Sequence, residues 1–278
     1  MILKSYAKIN LTLNVNSRNN RYLHEIQTYF CLINLTDKIK LKKIKSKKDK
    51  IKFKGPYAKF VNKSHNSIIH ILKLLRKLGL ISNFYSAIIE KNIPVFAGLG
   101  GGTANAATIL RYLIKKKINT SLLNQAEKKI GSDLKLFFHK QGFLNKLGSI
   151  KNLSKKQNLF FLLINPNIKC STKEIYSRVR NYSKKARFDK NKISSKSKFI
   201  RHLLDGRNDL QLIVEKKYPI LRNLLTNIRE QNGCYFSRMT GSGSVCYGLF
   251  NNQINAKKAL NNLKTIYPKF WLSLAKTV

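Results

Sequence analysis

Four glycines set within five residues constrain this chain more than any other stretch. They lie in Pro94-Val95-Phe96-Ala97-Gly98-Leu99-Gly100-Gly101-Gly102-Thr103-Ala104-Asn105-Ala106-Ala107. An alternating run before them, residues 86–91, predicts a strand. An apolar-periodic run after them, residues 106–114, predicts a helix. A glycine-built turn from strand to helix lets backbone N–H groups converge on one point. Those groups and the positive end of the helix dipole favour an anion there, phosphate above all. The turn is not a P-loop, because no Gly-Lys-Ser/Thr follows at the required spacing. It is not a dinucleotide fingerprint either, since Thr103 stands where the third glycine belongs. A tightly packed turn with no ligand is the competing explanation.

The length, 278 residues, fits one large or two ordinary domains, and 43% hydrophobic residues suffice for a sizeable core. No uninterrupted apolar run is long enough to span a bilayer, so no membrane partner is expected. The N-terminus carries no secretory apolar region, and Cys31, Cys170, Cys234 and Cys246 form no CxxC pair. Both fit a reducing cytoplasm. The net charge of +43 would ordinarily suggest nucleic acid. Here the basic residues are mostly lysine, spread over the whole chain, and accompanied by excess Asn and Ile. All three have AT-rich codons, so compositional drift explains them together. Aromatics do not interleave with the charges as a stacking platform requires. No specific nucleic-acid partner is expected.

Along the chain, residues 5–15 alternate and read as a strand. Residues 37–53 alternate apolar side chains with lysines and read as a hairpin turning near Lys47-Lys48-Asp49, with one wet face. Asn66 caps a helix over residues 67–78 that Gly79 ends, and a second helix over 120–129 ends at Gly131. A domain boundary falls in the polar stretch 148–157, giving domains 1–155 and 156–278. Residues 160–165 form a buried strand. Residues 182–200, rich in Lys and Ser, read as a mobile loop. Helices follow near 210–217, 220–230 and 256–266, and strands near 245–250 and 270–275. Strands and helices alternate without the spacing of a doubly wound sheet, which predicts two α+β domains.

Two further motifs carry chemistry. Ser5-Tyr6-Ala7-Lys8-Ile9-Asn10-Leu11 places a lysine inside an apolar strand, where an ordinary lysine would lie on the solvent face. Ser237-Arg238-Met239-Thr240-Gly241-Ser242-Gly243-Ser244 is a second small-residue turn leading into apolar sequence. In this order the three motifs resemble those of the GHMP small-molecule kinases. Further elements resemble the branch of that family that acts on a cytidyl diphosphate: His24-Glu25-Ile26-Gln27-Thr28, Gly131-Ser132-Asp133 and Asn208-Asp209-Leu210. The resemblance covers almost the whole length.

The resemblance implies a two-domain GHMP-kinase fold, with a ribosomal-S5-like N-terminal domain, a ferredoxin-like C-terminal domain and the active site in the cleft between them. It implies ATP and Mg²⁺ as cofactors and transfer of the γ-phosphoryl group to the 2-hydroxyl of a methylerythritol moiety in the cytidyl-diphosphate substrate. The protein would be a monomer or weak homodimer. ATP would be held by Pro94 through Ala104. Asp133 would accept or orient the proton of the attacking hydroxyl. The alternative for Asp133 is the N-cap of a helix over 134–138. Lys8 would be the cationic partner of Asp133. Asn10, His24, Thr172 and Tyr176 would line the substrate pocket, and Lys91 and Asn66 are candidates for the adenine pocket. For His24, a plain core or surface role is the alternative.

The chain departs from the family pattern in places. Leu23 stands where the family has a tyrosine that stacks on cytosine. Phe96 takes a usually small position, Thr103-Ala104 replaces Ser-Ser, and Lys135 replaces proline. A Gly-x-Gly-Glu segment is eroded around Leu147-Gly148-Ser149-Ile150. The competing functions are another GHMP kinase, acting for example on homoserine or mevalonate, a basic nucleic-acid-binding protein, and a catalytically weak homologue. His24 and the triple glycine argue against the first of these.

Overall fold

A computed structural model describes residues 1–18, 24–115, 118–146, 148–153 and 155–278. The chain forms two compact units, each assembled from separate stretches. The first holds Met1–Lys8, Leu35–Val95 and Gly100–His139. The second holds Ile9–Asn34, Phe96–Leu99 and Lys140–Val278. Each is a mixture of sheet and helix, as the element pattern predicts.

In the first unit, β4 (Lys50–Lys54), β5 (Phe84–Glu90) and the later part of β3 (His24–Ile44) pair in the order β4–β5–β3, and β1 (Ile2–Asn10) also pairs with β3. Alternation decides which face is dry. Ile39 and Leu41 of β3 and Tyr85, Ala87 and Ile89 of β5 are buried, whereas Lys38, Lys40 and Lys42 face solvent. The expected hairpin over 37–53 is not formed. β3 and β4 each pair with β5, which lies between them, antiparallel on the β3 side and parallel on the β4 side. Parallel pairing needs a crossover. That crossover is α1 (Ser67–Lys77), whose N-cap Asn66 accepts from the N–H groups of Ile68 and Ile69. Buried Ile68, Ile71, Leu72 and Leu75 give α1 one apolar stripe, which packs against α2 (Gly101–Ile114) and α3 (Thr120–Ile130). A 3-10 helix, Leu134–Phe138, ends this unit's helical layer.

In the second unit, the early part of β3 pairs with β2 (Asn14–Arg18) and with β6 (Gln141–Lys146), and β6 with β7 (Ser149–Asn152). A separate antiparallel sheet runs β11–β8–β10–β9, with β8 (Phe160–Asn165), β9 (Cys234–Met239), β10 (Cys246–Phe250) and β11 (Trp271–Lys276). The apolar run Phe161, Leu162, Leu163, Ile164 is buried throughout, as for a strand covered on both faces. Helix α7 (Ile220–Arg229) covers β9 and β10, and α8 (Gln253–Ile266) covers β8 and β11. The other α-helices among the described residues are α4 (Thr172–Ser177), α5 (Lys196–Leu204) and α6 (Gln211–Lys217).

Two expectations need correction here. The run 5–15 is not one strand. β1 stops at Asn10, and Leu13 N–H donates to the Arg207 carbonyl at 2.8 Å before β2 begins. The stretch 182–200 is not a loop throughout, because α5 starts at Lys196 behind the Ser195 N-cap and buries Phe199, Ile200 and Leu203. Strands β6, β7 and β9 and helix α4 were not anticipated.

Candidate active site

Lys8 lies on β1 with 2% of its surface exposed. It is not on the solvent face. Burying an ammonium is costly unless it is paired. The partner is Asp133, whose Oδ2 lies 3.2 Å from Lys8 Nζ. Asp133 occupies the N-cap position of the 3-10 helix, yet its side chain makes no capping hydrogen bond. The capping explanation for this acid therefore fails. The Asp133 side chain is partly open, and that of Lys8 is closed. The pair thus presents a carboxylate outward, backed by a buried cation.

The glycine turn starts helix α2 beside this pair. Gly100 is the N-cap, in the left-handed region at φ 68°. A Cβ there would lie 2.7 Å from Phe137 Cζ and 3.4 Å from Lys8 Cε. The Phe137 ring and the positive φ, rather than the lysine stem, favour glycine there. The helix N-terminus supplies unpaired N–H groups and a positive dipole end. Thr103 falls in the first turn of α2, and its Oγ1 lies 4.0 Å from where a Cβ on Gly131 would stand, two residues before Asp133. Lys135 is buried, with its ammonium on Asn124 Oδ1 at 2.6 Å and Glu127 Oε2 at 3.0 Å. The lysine in the usual proline position is therefore absorbed by α3.

The two adenine candidates differ: Lys91 is closed to a ligand, whereas Asn66 is half-exposed with its amide already engaged. Lys91 is buried, with its ammonium on Asp37 and on Asn105 Oδ1 at 3.2 Å. Both amide atoms of Asn66 are engaged, the oxygen in capping α1 and the nitrogen on the carbonyls of Asn62 and Lys63.

In the second unit, residues 96–99 meet the C-terminal small-residue turn. A Cβ on Gly98 would fall 2.1 Å from the Thr240 carbonyl oxygen, and Val245 N–H donates to the Ala97 carbonyl at 3.3 Å. Phe96 is exposed and left-handed at φ 58°, a strained backbone for a non-glycine residue. Thr240 Oγ1 accepts from Asn10 N–H at 3.0 Å, and Asn10 Nδ2 donates to Thr28 Oγ1 at 2.9 Å. Thr172 Oγ1 lies 2.9 Å from Ser242 Oγ. The His24 ring stands 5.0 Å from that of Tyr176, tilted 40°. Burial first, and then the Arg18 charge, push the His24 pKa below its ordinary value, favouring a neutral imidazole. The structure thus places the His24 and Tyr176 rings together, and the Tyr182 ring, which no sequence motif singles out, is 6.4 Å from His24. Leu23 and Leu147 lie outside the described residues.

Comparison with known proteins follows the same lines. The GHMP kinases N terminal domain matches residues 66–136, and the GHMP kinases C terminal domain matches 191–269. A 4-diphosphocytidyl-2-C-methyl-D-erythritol kinase of Pelagibacter ubique is 34% identical over 281 residues, covering 99% of this chain and 98% of its own. The chain belongs to this kinase family. Another member, from the Wolbachia of Brugia malayi, is 29% identical over 290 residues, with 99% and 98% covered. A crystal structure of 4-(cytidine 5'-diphospho)-2C-methyl-D-erythritol kinase superposes with a TM-score of 0.76 at 22% identity, covering 99% of both chains. A homoserine kinase from Cytophaga hutchinsonii gives 0.71 at 15% identity, covering 100% of this chain and 94% of its own. In this GHMP kinase the sequence motifs do not single out Asp37 and Asn105, which hold the Lys91 ammonium, or Ser5, which Asn105 reaches. An acid opening a lysine-rich strand and an Asn amid helix alanines were the available signals.

Proposed function

We propose that this chain transfers the γ-phosphoryl group of ATP to the 2-hydroxyl of 4-diphosphocytidyl-2-C-methyl-D-erythritol. The observation that carries the reading is the Lys8–Asp133 pair set beside the N-terminus of α2, with the Asp133 carboxylate unused for capping. Phosphoryl transfer needs positioning and charge neutralisation more than covalent participation. The N–H groups at the start of α2 hold the triphosphate. Asp133 accepts or orients the proton of the attacking hydroxyl, and Lys8 fixes the carboxylate's orientation. Asn10, His24, Thr172 and Tyr176 bind the substrate. The neutral His24 offers one donor and one acceptor to the edge of the base.

Mg²⁺ favours one or two carboxylates plus substrate phosphates over an all-protein site, and the partly open Asp133 carboxylate beside the start of α2 fits that demand. Asp133 and Thr103 are the residues that would touch it, and the bound ion would neutralise charge on the transferred group.

The test is a coupled assay for ADP release with the cytidyl substrate, homoserine and mevalonate compared side by side. Turnover with the cytidyl substrate alone is expected. Turnover confined to homoserine or mevalonate would overturn the substrate assignment.

A further inference from the structure

The proposed reaction leaves one buried ion pair without a task. Lys91 and Asp37 are 2% and 0% exposed, and they are in direct contact. Asp37 does more than neutralise a lysine. Its Oδ1 accepts the backbone N–H groups of Asn92 at 2.7 Å and Ile93 at 2.9 Å, immediately before Pro94 opens the glycine turn. Its Oδ2 accepts from Lys91 and from Asn105 Nδ2, the latter at 3.0 Å. Asn105 belongs to α2, just past the turn's last glycine. Its amide also reaches Ser5 Oγ on β1 at 3.0 Å. A Cβ on Gly101 would meet Ile93 Cγ2 at 3.0 Å and Lys91 Nζ at 3.3 Å. The two ends of the turn therefore pack on each other directly above the ion pair.

We propose that Asp37 is a positioning residue that ties both ends of the phosphate-binding turn to one carboxylate. One oxygen holds the strand end that leads into the turn. The other holds the helix that leads out of it, through Asn105 and Lys91. A carboxylate suits this because it accepts several hydrogen bonds at once and donates none. Burial lowers the pKa of Lys91 and Asp37 opposes that shift, so the acid also holds the charge of the ammonium beneath α2. This inference rests on the reading of the turn as the ATP-phosphate site.

The probe is MgATP binding to the full chain by calorimetry, together with initial rates at varied ATP. The main variant is Asp37→Ala with Lys91→Met. It leaves no buried charge unpaired. It removes both carboxylate oxygens, and with them the ties to the Asn92 and Ile93 amides and to α2. A folded double variant is expected to bind ATP on the order of tenfold more weakly, since small misplacements at such sites cost factors of that size or larger. Its kcat at saturating ATP should change much less. An unchanged ATP dissociation constant in the folded double variant, or a loss confined to kcat, overturns the proposal. If the double variant does not fold, Asn105→Ala decides, because it keeps the ion pair and releases only the helix end. Several-fold weaker ATP binding is then expected, and wild-type affinity overturns the proposal. The wild-type chain separates this result from the functional reading. Wild type that fails to bind ATP defeats that reading, whereas wild type and variants that bind alike defeat only the role of Asp37.

Discussion

Asp133 is an acid at a helix start that does not cap, and that is why its replacement is informative. Asp133→Asn keeps the shape and removes the acceptor of the hydroxyl proton. Turnover is expected to fall by about 10²–10⁴-fold, the usual contribution of a positioned base. Affinity for ATP without Mg²⁺, measured by calorimetry, should stay near wild type, because the proton-accepting interaction belongs mainly to the transition state. Retention of more than about a tenth of wild-type kcat would contradict the assignment. The glycines of the turn are not equivalent. A side chain on Gly101 runs into Ile93 and Lys91, whereas one on Gly102 meets only Ser67 Oγ at 3.5 Å. Gly101→Val should therefore abolish measurable ATP binding and Gly102→Ala should not, with calorimetry reading both. His24 gives a pH signature. Its pKa lies below the ordinary histidine value, so the neutral form persists at neutral pH and is lost only as pH falls through the lowered pKa. KM for the cytidyl substrate should be flat above neutrality and rise on acidification, and His24→Gln should flatten that rise. Lys8 and Asp133 were legible because each sits in a short motif with a definite neighbour order. Asp37 was not. In a strand that alternates lysine and apolar residues, an acid looks like one more surface charge until Lys91, the residue after β5, is seen to close over it.

At the scale of elements, caps and alternation carried the most information. Asn66 and the stripe of α1 agree with sequence and structure alike. Asn66→Ala removes a capping acceptor and should cost about 1 kcal/mol in urea denaturation. ATP affinity should be unaffected, because the Asn66 side chain is occupied by the helix and the preceding loop. The β3–β4 stretch shows the opposite case. Alternation correctly identified the wet face, but period-2 patterning does not say which strand is the neighbour. On that face, Lys42 and Lys50 flank Ser86, Lys40 and Lys52 flank Ile88, and Lys38 and Lys54 flank Glu90. Only the last pair meets an acid, at 3.4 and 3.7 Å. Exposed pairs of this kind contribute little. The helix α5 escaped notice because its buried residues, Phe199, Ile200 and Leu203, sit among lysines and serines that lower the mean hydropathy of the stretch.

For the whole molecule, the charge of +43 is separable from the chemistry. Lys38, Lys40 and Lys42 on one side of β5 and Lys50, Lys52 and Lys54 on the other flank Ser86, Ile88 and Glu90, with no aromatic or arginine between them, so they offer counterion release and no base readout. Binding to any DNA or RNA should be weak at physiological salt and should fall steeply as salt rises, measured by fluorescence anisotropy. A sequence-selective complex that survives physiological salt would show that the charge has a function. The large-scale plan was legible because three glycine- or lysine-bearing motifs occur in a definite order over the full length. The discontinuous make-up of the two units was not, since nothing in a local pattern reports that β1 and β3 each pass from one unit to the other.

The placement of β5 between two strands that precede it also bears on how the chain is made. During synthesis β3 and β4 leave the ribosome first, already patterned to pair with each other. The strand that must separate them follows only after α1, some thirty residues later in the chain. Until then the nascent segment can close into a hairpin that the finished protein does not contain. Non-local pairing is slow because loop closure must precede it. The sheet of the first unit therefore cannot be completed by local pairing, because both partners of β5 wait on a strand that emerges after α1.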